Sequence, residues 1–186
     1  NSEFNASLTS SSTNLLLTGN NFHGVCSFTK NGISSDYSAG GNHFYQDLTI
    51  QNNVTNTAII RMASTNGDVY EGNVTLNTST GFIQMAYADT SDFYGDISIN
   101  STKVNFNSGA GVLHITGTSA QSFQGTAGYS IGKIIVNNTS NGAISCNQPI
   151  TIDSVLVLTQ GLLSTDSTNI LTLKASAVCN TGSSFS

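Results

Sequence analysis

Charge is the scarcest property of this sequence. Only 8% of the 186 residues are charged, against roughly a quarter in an average globular protein. The formal net charge is −5, with one proline and no tryptophan. The five basic residues form no cluster, so the basic patch that a nucleic-acid partner requires is missing. These residues are Lys30, Arg61, Lys103, Lys133 and Lys174.

Long hydrophobic runs are also missing. No stretch approaches the roughly eighteen apolar residues of a transmembrane helix, and no signal peptide is recognisable, so we expect no membrane span. Hydrophobic residues make up 38% of the chain, and Asn, Ser, Thr and Gly supply most of the rest. Short apolar triplets recur among them, which favours ordered, stacked strands over disorder.

The three cysteines, Cys26, Cys146 and Cys179, show no CxxC or metal-binding spacing. We interpret them as small core residues in preference to a disulfide, because an odd number cannot pair fully.

An internal repeat organises the chain. Aromatic anchors at intervals of 18 to 26 residues begin five similar segments, FNASLTS, FHGVCSF, FYQDLTI, YEGNVTL and FYGDISI. The anchors are Phe4, Phe22, Phe44, Tyr70 and Phe93. We align a sixth copy, SIGKIIV at residues 130–136, behind Tyr129, with residues 121–125 as an insertion before it.

Within the repeat, apolar and hydroxyl positions alternate. The fourth position after the anchor is Leu8, Cys26, Leu48, Val74, Ile97 and, in the sixth copy, Ile134. The fifth position is Thr9, Ser27, Thr49, Thr75 and Ser98, and the sixth position is mostly apolar again. This period of two is typical of a strand with one buried face. Gly is frequent at the second position, which indicates a crowded corner.

A second apolar stretch follows in most repeats, at residues 15–17, 59–62, 82–85 and 112–115. Two or three short strands per unit of this length predict an all-β fold, a parallel β-helix or β-solenoid with coils of roughly 18–26 residues. A β-sandwich is the competing fold, since Asn-Gly pairs at residues 31–32, 66–67 and 141–142 would suit hairpins. The translational columns favour the solenoid.

We expect residues 1–186 to form one solenoid segment, with regular coils over 1–143 and a continuation with shorter loops over 144–186. Solenoids need polar caps, and neither end of the sequence contains a recognisable one. The expectation is therefore a segment of a longer repeat protein.

The segments FYGDISINS at residues 93–101, YEGNVTLN at 70–77 and STGFIQMAY at 79–87 resemble repeats of very large secreted surface proteins of Bacteroidetes. The tail ITIDSVLVLTQGLLST at 150–165, then NILTL at 169–173, resembles the segment that often follows those repeats. This resemblance implies export by the type IX secretion system and an extracellular or cell-surface location. It also implies a structural, adhesin-like role without catalytic residues.

The same resemblance implies partners and modifications. Expected partners are surface glycans, neighbouring segments of the same large protein and the secretion machinery. These bacteria commonly O-glycosylate the Ser or Thr of Asp-Ser/Thr when an aliphatic residue, Ala, Met or Thr follows. Residues 153–155 (DSV) and 166–168 (DST) match this motif, which makes Ser154 and Ser167 candidate sites.

Four carboxylates are candidate Ca²⁺ ligands. Asp47 and Asp96 share a column with Asn73, and Asp68 and Asp92 lie near the preceding corner. Clustered carboxylates can bind a hard cation, although solvated turn acids and Asn ladders are the interpretation we favour. Since no Arg or His falls in this column and no Gly-x-Ser-x-Gly occurs, we expect no enzyme, and no cofactor beyond this possible Ca²⁺.

Aromatic and imidazole side chains give further hypotheses. Tyr45, Tyr87 and Tyr94 are candidate glycan contacts, with corner packing as the favoured alternative. His23 and His43 lie beside successive anchors, and we interpret them as a surface pair because two imidazoles make a poor metal site.

The hydroxyl column raises a third possible function, ice binding. That function calls for a second regular Thr column, whereas the seventh position drifts from Ser11 and Thr29 to amides. A solvated β face is the favoured interpretation. The leading functional hypothesis is a structural and adhesive module acting as a stiff spacer, with a carbohydrate-binding β-helix as the alternative.

The alternation predicts the outcome of two adjacent substitutions. Ile97→Asp should lower the free energy of unfolding far more than Ser98→Asp, because only the first places a charge inside the core. Chemical denaturation of both variants measures the difference. Equal tolerance at the two positions would contradict the column assignment.

Overall fold

The structure, a computed structural model, describes residues 2–106 and 109–181. Every regular element in this part of the chain is a β-strand. The strands are β1 (Glu3–Phe4), β2 (Leu8–Ser12), β3 (Asn21–Phe22), β4 (Cys26–Lys30), β5 (Asp36–Tyr37), β6 (His43–Phe44), β7 (Leu48–Asn52), β8 (Ile59–Arg61), β9 (Val69–Tyr70), β10 (Val74–Thr78), β11 (Phe82–Met85), β12 (Ser91–Phe93), β13 (Ile97–Ile99), β14 (Val104–Phe106), β15 (Leu113–Gly117), β16 (Ser122–Gly125), β17 (Tyr129–Asn138), β18 (Ile144–Cys146), β19 (Ile150–Gln160), β20 (Leu163–Ser164), β21 (Leu171–Leu173) and β22 (Val178–Thr181). Across these described ranges, no helix has the length and hydropathy to span a membrane.

The strands stack into a parallel β-solenoid of about eight turns, as the repeat predicts. Face I is the eight-stranded sheet β2-β4-β7-β10-β13-β16-β18-β20. Face II is the ladder β5-β8-β11-β14-β17-β19-β21, and face III is the ladder β1-β3-β6-β9-β12-β15-β17-β19-β22. The long strands β17 and β19 belong to faces II and III and join them into one 14-stranded sheet.

Register on face I confirms the predicted columns over the first five repeats. Leu48 pairs with Val74, and Val74 pairs with Ile97. Ile97 is 1% exposed, whereas Ser98 is half-buried on the outer surface. Because side chains alternate between the two sides of a strand, one register fixes both an apolar interior and a polar exterior.

The sixth repeat was aligned wrongly from the sequence. In face I, Ile97 pairs with Phe123, which lies in the segment interpreted as an insertion. Ile134 instead belongs to face III, between Leu113 and Leu156. The anchor column continues from Phe93 to Ile115, so the anchor position of this repeat is not aromatic. Tyr129, the aromatic residue that we align as the anchor, lies on face II instead.

The anchors form a continuous aromatic column inside face III. Ring centroids are separated by 5.0 Å from Phe4 to Phe22 and 4.8 Å from Phe22 to Phe44. The column continues at 5.3 Å to Tyr70 and 4.5 Å to Phe93, with the rings stacked throughout. Contact between the rings of successive coils adds to the stabilisation that comes from burying their apolar surface. These rings therefore help to hold successive coils in register.

Glycine at the second position follows from backbone crowding between faces III and I. A Cβ at Gly72 would lie 2.3 Å from the carbonyl carbon of Gln46, and one at Gly95 would lie 2.4 Å from the Gly72 oxygen. No side chain fits at such distances without moving the backbone.

An ion pair is buried at the corner between faces I and II. Lys30 Nζ lies 2.8 Å from Asp36 Oδ2, and the two side chains are 0% and 4% exposed. Lys30 also donates to the Thr13 carbonyl, and Asp36 accepts the Leu15 backbone N–H. Removing one partner of such a pair typically costs about 3–5 kcal/mol, because the other charge stays buried alone. The pair therefore links three segments of the first two coils.

The cysteines are only partly as expected. Cys26 and Cys146 are buried on face I, and burial raises the pKa of each thiol to about 11. Cys179 is exposed, which corrects the prediction of three core residues. Its strand, β22, pairs with β19 in the last described coil, and no described residue covers its other side.

Candidate functional site

Face I presents a polar ladder to solvent. Its hydroxyl column runs from Thr9 through Ser27, Thr49, Thr75 and Ser98, in register as predicted. The adjacent column contains cross-coil hydrogen bonds between amides, such as Asn100 Nδ2 to Asn77 Oδ1 at 2.7 Å. These amides thus hydrogen-bond to one another between coils. Ice binding by this face stays a prediction.

The column of Asp47, Asn73 and Asp96 forms hydrogen bonds between coils. The Asn73 backbone N–H donates to Asp47 Oδ1 at 2.8 Å, and the Asp96 N–H donates to Asn73 Oδ1 at 2.9 Å. Asp96 Oδ1 then accepts the Ser122 N–H at 2.7 Å. Each side chain thus accepts a hydrogen bond from the backbone of the next coil.

The structure does not bring the other two candidate Ca²⁺ ligands to this column. Asp92 lies on the outer side of face III, where its Oδ1 is 2.7 Å from His114 Nδ1. Asp68 lies inside the solenoid and is 1% exposed. Among the described residues, no group of three or more His, Cys, Asp or Glu side chains is arranged to hold a metal ion. Ca²⁺ binding stays a prediction.

Asp68 belongs to a buried polar column that the sequence analysis missed. Its Oδ1 accepts hydrogen bonds from both the backbone N–H and the side-chain amide of Asn42, each at 2.9 Å. Its Oδ2 accepts from the Tyr70 hydroxyl at 3.1 Å, and its own N–H donates to Ser91 Oγ. Burial raises the pKa of Asp68 to about 6, although these hydrogen bonds act in the opposite direction.

A cluster of imidazoles, carboxylates and one phenol lies on the outer side of face III. We call Glu3, His23, His43, Tyr45 and Glu71 the His–Tyr cluster. The Tyr45 ring stacks on both imidazoles, with centroid distances of 4.3 Å to His23 and 3.8 Å to His43. Each imidazole has a carboxylate partner on a neighbouring coil, Glu3 at 2.8 Å and Glu71 at 2.7 Å. The candidate glycan residue Tyr45 is thus half-buried between histidines.

A second aromatic cluster, on the outer side of face II, surrounds the only arginine. We call Tyr37, Arg61, Gln84 and Tyr87 the Tyr–Arg cluster. The guanidinium carbon of Arg61 lies 4.2 Å from the Tyr37 ring centroid and 3.7 Å from that of Tyr87. Arg61 Nε donates to Gln84 Oε1 at 2.9 Å. Tyr37 and Arg61 are register partners in β5 and β8, and Arg61 and Gln84 are partners in β8 and β11.

The remaining predicted site residues lie apart from these clusters. Tyr94, on the outer side of face III, is 41% exposed and packs near Gly117. Ser154 is half-buried in β19, opposite the register shift next to Lys133. Ser167 is exposed in a turn where Asp166 accepts hydrogen bonds from Thr168 and Asn169, which hold the pKa of that carboxyl well below its usual range. Glycosylation at either serine stays a prediction.

Tyr37 and the paired carboxylates were not predicted. Tyr37 follows Asp36 in a short stretch of mixed apolar and polar residues. This local pattern does not indicate that the ring contacts Arg61 in the next coil. No enclosed pocket is present on the described part of the chain.

The geometry defines the class of protein as a parallel β-solenoid with polar ladders and two aromatic clusters on its outer faces. Comparison with protein families, with curated proteins and with solved structures gave no match in any of the three.

The raised pKa of Asp68 predicts a dependence of stability on pH. The ordinary value is 3.8 and the folded value is about 6, so folding favours the protonated acid. Asp68 therefore has no ionisation cost below about pH 4 and destabilises the fold as the pH rises through 6. At neutral pH the cost is on the order of 3 kcal/mol.

Asp68→Asn removes this ionisation and keeps an oxygen that can accept from Asn42. Urea denaturation should show the wild type losing on the order of 3 kcal/mol relative to the variant between about pH 4 and pH 7. Asp47→Asn is the control for the substitution itself, since that side chain is exposed and Asn73 already occupies the equivalent position in the next coil. Parallel pH profiles for the wild type and Asp68→Asn would contradict the assignment.

Proposed function

We propose that the chain is an extracellular structural and adhesive repeat segment, acting as a stiff spacer with adhesive outer faces. It would belong to the repeat region of a large secreted surface protein similar to the type IX secretion cargo of Bacteroidetes. The sequence resemblance supports the cellular setting. The observation that carries the mechanical part of the proposal is the unbroken stack, in which each strand of face I pairs with the next.

Stiffness follows from how each coil is held. Backbone hydrogen bonds join every interior strand to the coils on both sides, and a one-residue slip would turn the apolar column outwards. The aromatic column of face III and the ion pair of Lys30 with Asp36 add side-chain links in the first half of the stack. Eight coils at about 4.8 Å each give a rod on the order of 35–40 Å long.

Adhesion is supported by the repetition on the outer faces. Equivalent side chains recur once per coil, as in the hydroxyl column of Thr49, Thr75 and Ser98. A polymeric partner, such as a surface glycan or a neighbouring repeat segment, would meet several similar contacts at once. Linked weak contacts can together exceed the affinity of each by orders of magnitude.

Single-molecule force spectroscopy tests both parts of this proposal. The chain is attached to a probe through its C terminus and pressed onto surfaces coated with alginate, cellulose, chitin or mucin. We expect detachment events more frequent than with an albumin-coated probe on at least one surface. We also expect no prior lengthening on the order of 600 Å, which complete unfolding of the chain would release.

Detachment at the albumin level on every surface would overturn the adhesive role. Smooth lengthening at low force before detachment would overturn the spacer role. The Ile97→Asp variant supplies a control that should lengthen readily, because its core column contains a charge.

A further inference from the structure

The geometry points to a specific partner for the Tyr–Arg cluster: a carboxylate-bearing sugar residue of an acidic glycan. This inference rests on the proposed adhesive function and names its chemistry on one face. It differs from the predicted tyrosine contacts because Arg61 and Tyr37 are central to it.

The first argument is the electrostatic state of Arg61. The lysines Lys30 and Lys174 pair with Asp36 and Asp153, at 2.8 and 2.6 Å. Within residues 2–106 and 109–181, by contrast, Arg61 forms no ion pair, and its hydrogen bond goes to the neutral Gln84. A guanidinium presents a planar fork that matches a carboxylate, and here that fork lacks its usual partner.

The second argument is that the guanidinium is already positioned. The rings of Tyr37 and Tyr87 contact it at 4.2 and 3.7 Å, and Gln84 fixes its Nε at 2.9 Å. Arg61 therefore loses little side-chain freedom when a ligand binds, which removes one of the ordinary costs of association. Because the aromatic rings cover the faces of the guanidinium, its N–H groups can donate hydrogen bonds only from the edge of the plane.

The third argument is the character of the surrounding surface. Tyr37 is 50% exposed, and Leu16 is 62% exposed between two residues whose backbone N–H groups donate to Asp36 and Ser38. Ile59 and Phe82 are half-buried on the outer side of face II. Pyranose rings present apolar C–H surfaces together with polar edges, so a sugar can cover an exposed phenol while its carboxylate reaches Arg61. Face I offers no such combination, because its outer columns contain hydroxyls and amides.

Net charge does not exclude an acidic ligand. The chain has a formal charge of −5, which opposes the approach of a polyanion. At physiological ionic strength the Debye length is about 8 Å, so acids on distant coils are largely screened at this cluster. The local guanidinium then determines whether a carboxylate is held.

The test compares polygalacturonate with its fully methyl-esterified form, both immobilised for surface plasmon resonance at physiological salt. The two polymers share a sugar and differ in the free carboxylate. We expect the full chain to bind the acid form at least about tenfold more tightly, the range of a charge-assisted hydrogen bond. Alginate and a sialylated glycan, as further surfaces, show which carboxylate-bearing sugar is preferred.

Four variants assign the effect to the cluster. Arg61→Gln should lose about tenfold or more in affinity for polygalacturonate, and Arg61→Lys should lose part of it because the planar fork is missing. Tyr37→Ala should lose several-fold through the ring contact. Lys103→Gln is the matched control, since Lys103 is also half-buried but bonds to the carbonyls of Ser79 and Thr80, and its affinity should be unchanged. Thermal unfolding of each variant verifies that the fold is retained.

Equal binding of the acid and the ester, or equal losses for Arg61→Gln and Lys103→Gln, would overturn the inference. So would failure of the wild type to bind any of the acidic surfaces. If detachment from cellulose or chitin persists in the force experiment in that case, the adhesive function stands and only this site is rejected.

Discussion

Parallel hydrogen bonding between successive coils is the constraint on which the rest of the structure depends. A strand of face I has its partners one coil before and one coil after, 18 to 26 residues away in sequence. Because side chains alternate across a strand, this pairing places the main apolar columns of faces I and III inside and the hydroxyl column of face I outside. The inner columns of Phe22, Phe44 and Tyr70, and of Leu48, Val74 and Ile97, follow directly from it.

The same constraint creates the outer surfaces. Residues far apart in sequence become neighbours when their coils stack, so Tyr37 meets Arg61 and Glu3 meets His23. Because the chain has so few charged residues, the partner that each one meets on the next coil determines the local charge and hydrogen bonding of the surface. Where an imidazole meets a carboxylate, the carboxylate already has a hydrogen-bonding partner within the protein. Among the residues that the structure describes, the polar partner of Arg61 is an amide, and this difference directs the inference of an acidic ligand to face II.

The regular part of the fold was predictable because one residue type marked each repeat. From Phe4 to Phe93 the aromatic anchor and the alternating strand coincide, and the predicted columns are confirmed. The prediction was wrong in the sixth repeat because Ile115 takes the anchor position and a misleading Tyr129 follows it on another face. Apolar burial tolerates this exchange of aromatic for aliphatic side chains, so the sequence marker disappears while the structural position stays.

The polar interior was harder to predict. Lys30 lies two residues after the buried Phe28, at a position whose parity places it inside, so a signal existed. Its partner Asp36 follows a turn whose length varies among coils, and no spacing could have identified it. Asp68 was interpreted as a corner acid for the same reason, although the ladder places it against Asn42 and Tyr70. An ionisable side chain can be buried only if it is paired with an opposite charge or is neutral. Which partner it meets is determined by the three-dimensional register of the coils, so the sequence alone did not reveal these buried groups.

Distances between spin labels on face I test that register most directly. After replacement of the three cysteines, labels at Thr9 are paired in turn with labels at Thr75, Ser98 and Gln124, which lie three, four and five coils away in the same register column. Stacking at about 4.8 Å per coil predicts separations between these positions of about 14, 19 and 24 Å, increasing in equal steps. Separations that fail to increase with coil number, as antiparallel hairpins would give, would contradict the solenoid and every surface derived from it.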